Sequence, residues 1–234
     1  MLKVVQWSTG HVGRHALVGI DAHPDLELVG VWVSSDAKAG RDAGELAGLD
    51  RSLGVAATTD ADALLALRPD CIVHTAMADH RLGEAIDDLC RFLRAGIDVV
   101  SSGPVFLQFP EGVMPDEMID PVREAADAGG ASLWVNGIDP GFANDWLPLT
   151  LTSISERIEE VRCMEILNYA TYDQAMVLND IMGFGRSMDE TPFILAPGIL
   201  TTAWGSVVSQ LAAGLGLELD RIDEHYERVA ARTP

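Results

Sequence analysis

Over residues 1–140, short apolar runs alternate with longer amphipathic stretches. LKVVQW (2–7), ELVGVWV (27–33), CIVH (71–74), IDVVS (97–101) and SLWV (132–135) are brief and nearly all apolar, which predicts strands buried on both faces. Between them the spacing predicts helices over 12–22, where Val12, Ala16, Leu17 and Ile20 share a face, and over 60–67, 80–95 and 115–128. In 80–95 the shared face is Leu82, Ile86, Leu89 and Leu93. Pro24, Pro69, Gly96 and Gly129-Gly130 punctuate the connections. Strand and helix in alternation, joined by right-handed crossovers, give an α/β fold with a doubly wound parallel sheet. Ligands of such sheets bind at the carboxyl ends of the strands.

Beyond residue 140 the pattern changes. IEEVRCMEILNY (158–169) alternates as a longer strand with one wet face would, and ILTTAWGSVVSQLAAG (199–214) reads as a helix. The expected division is a Rossmann-type domain over 1–140 and an α+β substrate and dimerisation domain over 141–234. A single strand has nothing to pair with, so the second domain is expected to be incomplete.

Composition narrows the function. The 234 residues carry 36 Asp and Glu against 16 Lys and Arg, a formal charge of -20. Such a surface repels phosphate backbones and anionic lipid, which argues against nucleic acid and membrane partners. No uninterrupted apolar run reaches the roughly 18 residues of a membrane span, and MLKVVQW leads straight into a strand without a secretory leader. Cys71, Cys90 and Cys163 are widely spaced with no CxxC pair, as expected of thiols in a reducing cytoplasm. Six histidines show no HExxH or clustered metal-ligand spacing, so no metal is expected.

The junction after the first strand carries the chemistry. Ser8-Thr9-Gly10-His11-Val12-Gly13 leads into the helix with Gly10, Gly13 and Ala16 as GxxGxxA. Glycines there allow a tight turn and close backbone approach to a pyrophosphate, which the helix N-terminus then attracts. The pattern is weak alone, but its place after a buried strand makes it a nucleotide-binding loop. In NAD-selective domains an acidic residue about 20 positions on accepts from the ribose 2′-hydroxyl. That region here holds Ser34 and Ser35, with Lys38 and Arg41 nearby, which suits a 2′-phosphate, while Asp36 suits a hydroxyl. NADP is therefore favoured, with NAD the alternative, and Lys38 and Arg41 also fit simple solvated loop charges. Thr75, Ala76 and Met77, after the CIVH strand, and Ser102 and Gly103, after the next, would line the same crevice. His74 is expected to be a buried, hydrogen-bonded histidine. The run Asn136 to Asp145 forms a polar elbow where the nucleotide domain ends, with Asn144 as a helix cap.

With these residues assembled, the chain resembles the dihydrodipicolinate reductase-like superfamily, most nearly its branch of NAD(P)-dependent amine dehydrogenases and 2,4-diaminopentanoate dehydrogenase. The likeness spans the chain, through VVQWSTGHVGR, GRDAGELAG (40–48), VVSSGPVFLQFP (99–110), NGIDPGFANDWLP (136–148) and RCMEILNYATYD (162–173). It implies a Rossmann domain, a second domain that dimerises, and hydride transfer between a nicotinamide and the C=N or C=O carbon of a small substrate. Members of the branch are longer in their C-terminal part. Dihydrodipicolinate reductase itself is the weaker reading, because its paired histidines and Pro-Ser-Gly-Thr motif are absent. A non-catalytic NADP-binding sensor is the other alternative. In the amine dehydrogenases a glutamate after the fifth strand positions the amine; the matching loop here offers Gln108 or Glu111 as catalytic candidates. The pocket candidates are Asn136, Asp139, Phe142, Trp146, Tyr169 and Tyr172. Each aromatic serves equally well as core.

Overall fold

The computed structural model describes residues 1–78 and 81–231. His80, with which the expected third long helix would begin, and the closing Thr233-Pro234 lie outside them. The chain divides into two compact units, one of 1–108 with 115–137 and one of 109–114 with 138–234.

The first unit is a parallel sheet of six strands in the order β3-β2-β1-β4-β5-β6. Its elements are β1 (Leu2–Trp7), α1 (His11–Ala22), β2 (Leu26–Trp32), α2 (Ala43–Ala47), β3 (Ala57–Thr58), α3 (Ala61–Ala66), β4 (Cys71–His74), α4 (Leu82–Arg94), β5 (Asp98–Ser101), α5 (Asp116–Gly129) and β6 (Leu133–Val135). Five strands and four helices fall within a residue or two of the windows predicted from the pattern.

Both faces of the sheet are covered, as the near-continuous apolar strands require. On one face Val31 and Val33 pack with Leu17 of α1 and with Ala43, Leu46 and Ala47 of α2. Gly30 faces the other way, where a Cβ would stand 2.4 Å from the Leu64 side chain of α3, so a side chain there would push that leucine aside. On that second face Trp7 stacks on Trp32 at 4.5 Å and meets Phe92 of α4 edge-on at 4.6 Å. Val12, expected on the buried face of α1, is half exposed at its first turn.

Register determines where ligands can sit. Trp7 pairs with both Trp32 and His74, His74 with Ser101, and Ser101 with Val135. Trp32 also pairs with Thr58, the last residue of β3, so the six strands end abreast and the loops that follow all leave from one edge.

Two short elements of this unit escaped the sequence reading. α2 is five residues long and owes its start to Asp42, whose carboxylate accepts from Gly44 N and also from Leu53 N, Gly54 N and Ser52 Oγ, all between 2.8 and 2.9 Å. β3 has two residues, too few for any periodicity to register.

The second unit contains α6 (Trp146–Thr152) and α7 (Ile199–Gly214), with single turns at Tyr169–Thr171, Val177–Ile181 and Phe193–Leu195. α7 matches its predicted window, and Gly214 lets it approach Leu149 of α6, which a Cβ would meet at 2.6 Å. Glu224 accepts from Gly198 N (3.0 Å) and Thr201 N (2.6 Å), satisfying donors at the start of α7 that no local cap reaches.

The strand expected over 158–169 is not formed. Residues 158–168 are irregular and unpaired, and Met164 and Ile166 are 84% and 91% exposed. Alternation supplies one apolar face, but a strand exists only when another accepts its hydrogen bonds. Among the described residues of this unit, pairing is confined to one bridge between Ile138 and Gly141.

Candidate functional site

The β1–α1 junction is built for an anion. Gly10 precedes α1 without a side-chain cap and no acidic residue stands in the first turn, so the leading N–H groups of the helix have no local acceptor. Ser8 is held at φ 81°, in the left-handed region that a serine rarely adopts, and this turns the chain sharply out of β1. Gly13 permits that turn: a Cβ there would lie 2.2 Å from Ser8 O and 2.8 Å from Thr75 Oγ1.

The loop is braced from beneath by residues of neighbouring strands. Gln6, fully buried, donates from Nε2 to Ser8 O (2.8 Å) and Thr75 Oγ1 (2.7 Å). Thr75 Oγ1 in turn donates to Trp7 O at 3.1 Å. Gln6 was missed in the sequence, although a glutamine inside an apolar strand is itself a signal, since a buried amide needs partners.

The other candidates line up along the same edge. Lys38 reaches back over the loop, its Nζ 3.2 Å from both Thr9 O and Thr9 Oγ1. Ser34 and Ser35 are exposed just after β2, and Lys38 N donates to Ser35 O at 2.9 Å. Arg41 differs: its guanidinium is paired with Glu45 at 3.0 Å. Ala76 is buried and Met77 half-buried after β4; Ser102 N donates to His74 O (3.1 Å) and Asn136 N to Ser101 O (3.0 Å). His74 is wholly buried, its Nδ1 2.9 Å from Ser101 Oγ, and burial with the nearby Arg81 charge lowers its pKa to about 4. It is therefore neutral near pH 7. The uncapped helix start and the Gly13 cradle together fit a nucleotide pyrophosphate, with the Lys38 ammonium at the edge of the loop beside Thr9.

Gln108 closes a single 3-10 turn, Val105–Gln108, in the first unit. Glu111 is exposed in the following turn, which belongs to the second unit.

A separate cluster lies within the second unit. Asp139 accepts from Trp204 Nε1 at 2.7 Å and from Asn144 Nδ2, and it shares a side-chain hydrogen bond with Glu165. These four side chains border a cavity of about 500 Å³. Asn144 does not cap α6 as expected. Its Oδ1 accepts from Gly141 N at 2.9 Å, clasping the Asp139 turn, and the cap is the next residue, Asp145, which accepts from Trp146 N. The two residues are adjacent and either side chain can cap, so the spacing did not separate them.

Burial pushes the Asp139 carboxyl up, but hydrogen bonds from Glu165, Trp204 and Asn144 outweigh it and the net shift is downward. Glu165 moves the other way, to about 7, chiefly through its hydrogen bond to Asp139, then through burial and the Asp139 charge. Tyr169 packs edge-on to Tyr172 (5.7 Å) and against Phe184 (5.6 Å), beside a second hollow. Phe142 and Trp146 are about half exposed. Of the pocket candidates, then, Asp139 takes its place in the cavity wall. Glu165 and Trp204 were missed, because one reads as the wet face of a strand and the other as helix core.

No family model matches the chain. It is 45% identical over 233 residues to an amine dehydrogenase of Streptomyces virginiae, which covers 100% of this chain and 64% of that protein. A shorter stretch of 62 residues, 26% of this chain and 22% of the relative, is 40% identical to a 4-hydroxy-tetrahydrodipicolinate reductase of Trichormus variabilis. The fold is similar to that of the amine dehydrogenase of Mycobacterium smegmatis, with a TM-score of 0.71 at 22% identity over 94% of this chain and 63% of that one. The chain thus spans a little under two thirds of the length of the amine dehydrogenases it matches. Over its whole length, then, the chain is similar to an amine dehydrogenase.

Proposed function

We propose that this chain is the nucleotide-binding part, with some of the substrate pocket, of an NAD(P)-dependent oxidoreductase of the amine dehydrogenase type. The observation that carries the reading is the uncapped start of α1 with Lys38 lying over Thr9, on a chain 45% identical to an amine dehydrogenase. Residues 10–13 would hold the pyrophosphate through backbone N–H groups, with Thr75 and Gln6 keeping the loop in shape. Lys38, with Ser34 and Ser35, would take the 2′-phosphate of NADP; Arg41, paired with Glu45, contributes less. When bound, the nicotinamide supplies or accepts a hydride at the C=N or C=O carbon of a small substrate. Glu111, or Gln108 in its stead, orients the nitrogen. A carboxylate there both orients and takes a proton, whereas an amide only orients.

The experiment follows NADPH oxidation with a panel of small ketones, with and without ammonia. Turnover is expected only when ketone and ammonia are both present. Glu111→Gln is expected to slow it by on the order of a hundredfold if the carboxylate moves the proton; an unchanged rate removes Glu111 and leaves Gln108. Lys38→Ala is expected to weaken NADPH about tenfold more than NADH, as loss of one charge-assisted contact would. Equal losses for both nucleotides would contradict the NADP assignment.

A further inference from the structure

Strand order apportions a dinucleotide along the carboxyl edge of the first unit. β2, followed by Ser34, Ser35 and Lys38, lies on one side of β1, and β4 and β5 lie on the other. A nucleotide with its pyrophosphate on the β1–α1 loop and its adenosine toward β2 lays its nicotinamide half over the ends of β4 and β5. The turn there is Ser101-Ser102-Gly103, centred on the buried Ser101 hydroxyl. Ser101 Oγ lies 2.5 Å from Gly103 O, 3.2 Å from His74 O, 2.9 Å from His74 Nδ1 and 3.3 Å from Gly103 N. A hydroxyl has one hydrogen and a carbonyl only accepts, so that hydrogen goes to Gly103 O, the nearer carbonyl. The two lone pairs then accept from Gly103 N–H and from His74 Nδ1–H. The count closes only with the His74 ring in its Nδ1–H tautomer, which leaves Nε2 as a buried acceptor without a partner. Burial, then the nearby Arg81 charge, keeps the ring neutral.

The next residue serves the other neighbour. His74 lies toward Phe92 of α4, ring centroids 6.4 Å apart, whereas Thr75 stands on the α1 side, its Oγ1 2.8 Å from where a Gly13 Cβ would be. Thr75 Oγ1 accepts from Gln6 Nε2 (2.7 Å) and donates to Trp7 O (3.1 Å), so it braces the β1–α1 loop. Two adjacent residues at the end of β4 thus support two different turns, with no side-chain hydrogen bond shared between them.

We propose that His74 is a positioning residue for the nicotinamide half of the nucleotide, holding the 101–103 turn through Ser101, while Gln6 and Thr75 hold the pyrophosphate half. The inference rests on the reading of an NAD(P) site and divides that site into two separately supported halves. His74 is wholly buried and acts only through Ser101. Its removal leaves a lone pair of Ser101 Oγ without a donor and frees the turn to shift. The hydrogen bonds of Gln6 and Thr75 stay in place, so the grip on the pyrophosphate persists.

The experiment compares NADPH with 2′-phospho-ADP-ribose, the same molecule without its nicotinamide, by calorimetric titration into the whole protein. His74→Ala and Ser101→Ala should each weaken NADPH about tenfold more than the fragment, as loss of one buried hydrogen bond implies. The double variant should be no worse than either, because both act through one contact. Thr75→Val should weaken the two ligands alike. His74→Asn, whose Nδ2–H can stand where Nδ1–H stood, should recover most of the NADPH affinity, and His74→Gln should not. Independently of any ligand, nitrogen-15 spectra of histidine-labelled protein should contain one neutral imidazole locked as the Nδ1–H tautomer, missing in His74→Asn. Absence of that tautomer, equal weakening of NADPH and the fragment by His74→Ala, or a His74→Asn protein no better than His74→Gln overturns the positioning role. A wild type with the locked tautomer that binds neither NADPH nor NADH overturns the nucleotide reading instead.

Discussion

The two units of this chain bury their apolar side chains to very different degrees. In the first unit Leu17, Ile72, Leu89, Phe92 and Leu93 are all wholly inaccessible to solvent. In the second unit the buried apolar set is small, chiefly Val207 and Ala212 on α7, while Ile154, Met164, Ile166 and Val229 are exposed. The first closes a sheet whose strands pair with one another. The second has the residues of a sheet without the pairing. A hydrophobic pattern becomes a core only where the chain brings it a partner.

The largest expected effect breaks the comparison at its strong end. Phe92→Ala removes a ring packed on Trp7 and should destabilise the protein by about 3–5 kcal/mol, as burial of a full aromatic implies. Ile166→Ala, at an exposed position, should change the denaturation midpoint by about 0.5 kcal/mol or less. Equilibrium urea unfolding of both variants checks the contrast, and similar losses would contradict it.

A smaller effect concerns acid. The Asp42 carboxylate is held at about 2 by hydrogen bonds from Leu53 N, then Ser52, Gly44 and Gly54, against the opposing effect of burial. A folded pKa below the unfolded one stabilises the fold above the ordinary Asp value and is lost as pH falls through the folded value. This contribution should therefore fade between about pH 4 and about pH 2. Asp42→Asn should bring the acid-unfolding midpoint to lower pH and leave unfolding at pH 7 nearly as in wild type, because asparagine also caps and has no carboxylate to protonate. An unmoved acid midpoint would count against the assignment.

Legibility in the sequence follows the same division. The strands at 2–7 and 71–74 could be read because burial on both faces leaves continuous apolar runs, and α4 because its apolar stripe recurs at helical spacing. The sharp turn from β1 into α1 was legible for the same reason: two glycines at fixed places after a strand that could be recognised. β3 and α2 were not, being held by a two-residue ladder and by one carboxylate that gathers four donors from loops. Lys38 could be nominated from its position, but only the fold placed its ammonium on Thr9. The 158–169 window was misread because alternation reports a face and says nothing about the neighbouring strand. In the cavity of the second unit, Asp139 was nominated and Glu165 was not. Their pairing is a contact across 26 residues of irregular chain, with α7 supplying Trp204 from further still, and no local spacing encodes it.

The central claim is that the β1–α1 loop of the first unit holds a nicotinamide nucleotide, and fluorescence titration of NADPH into wild type and Gly13→Ala tests it most directly. A Cβ at Gly13 would lie 2.2 Å from Ser8 O, so the loop must open. Wild type is predicted to bind saturably, and the variant on the order of a hundredfold more weakly, the equivalent of the upper range of overpacking strain. Absence of saturable binding in wild type, or equal affinity in the variant, would contradict the account.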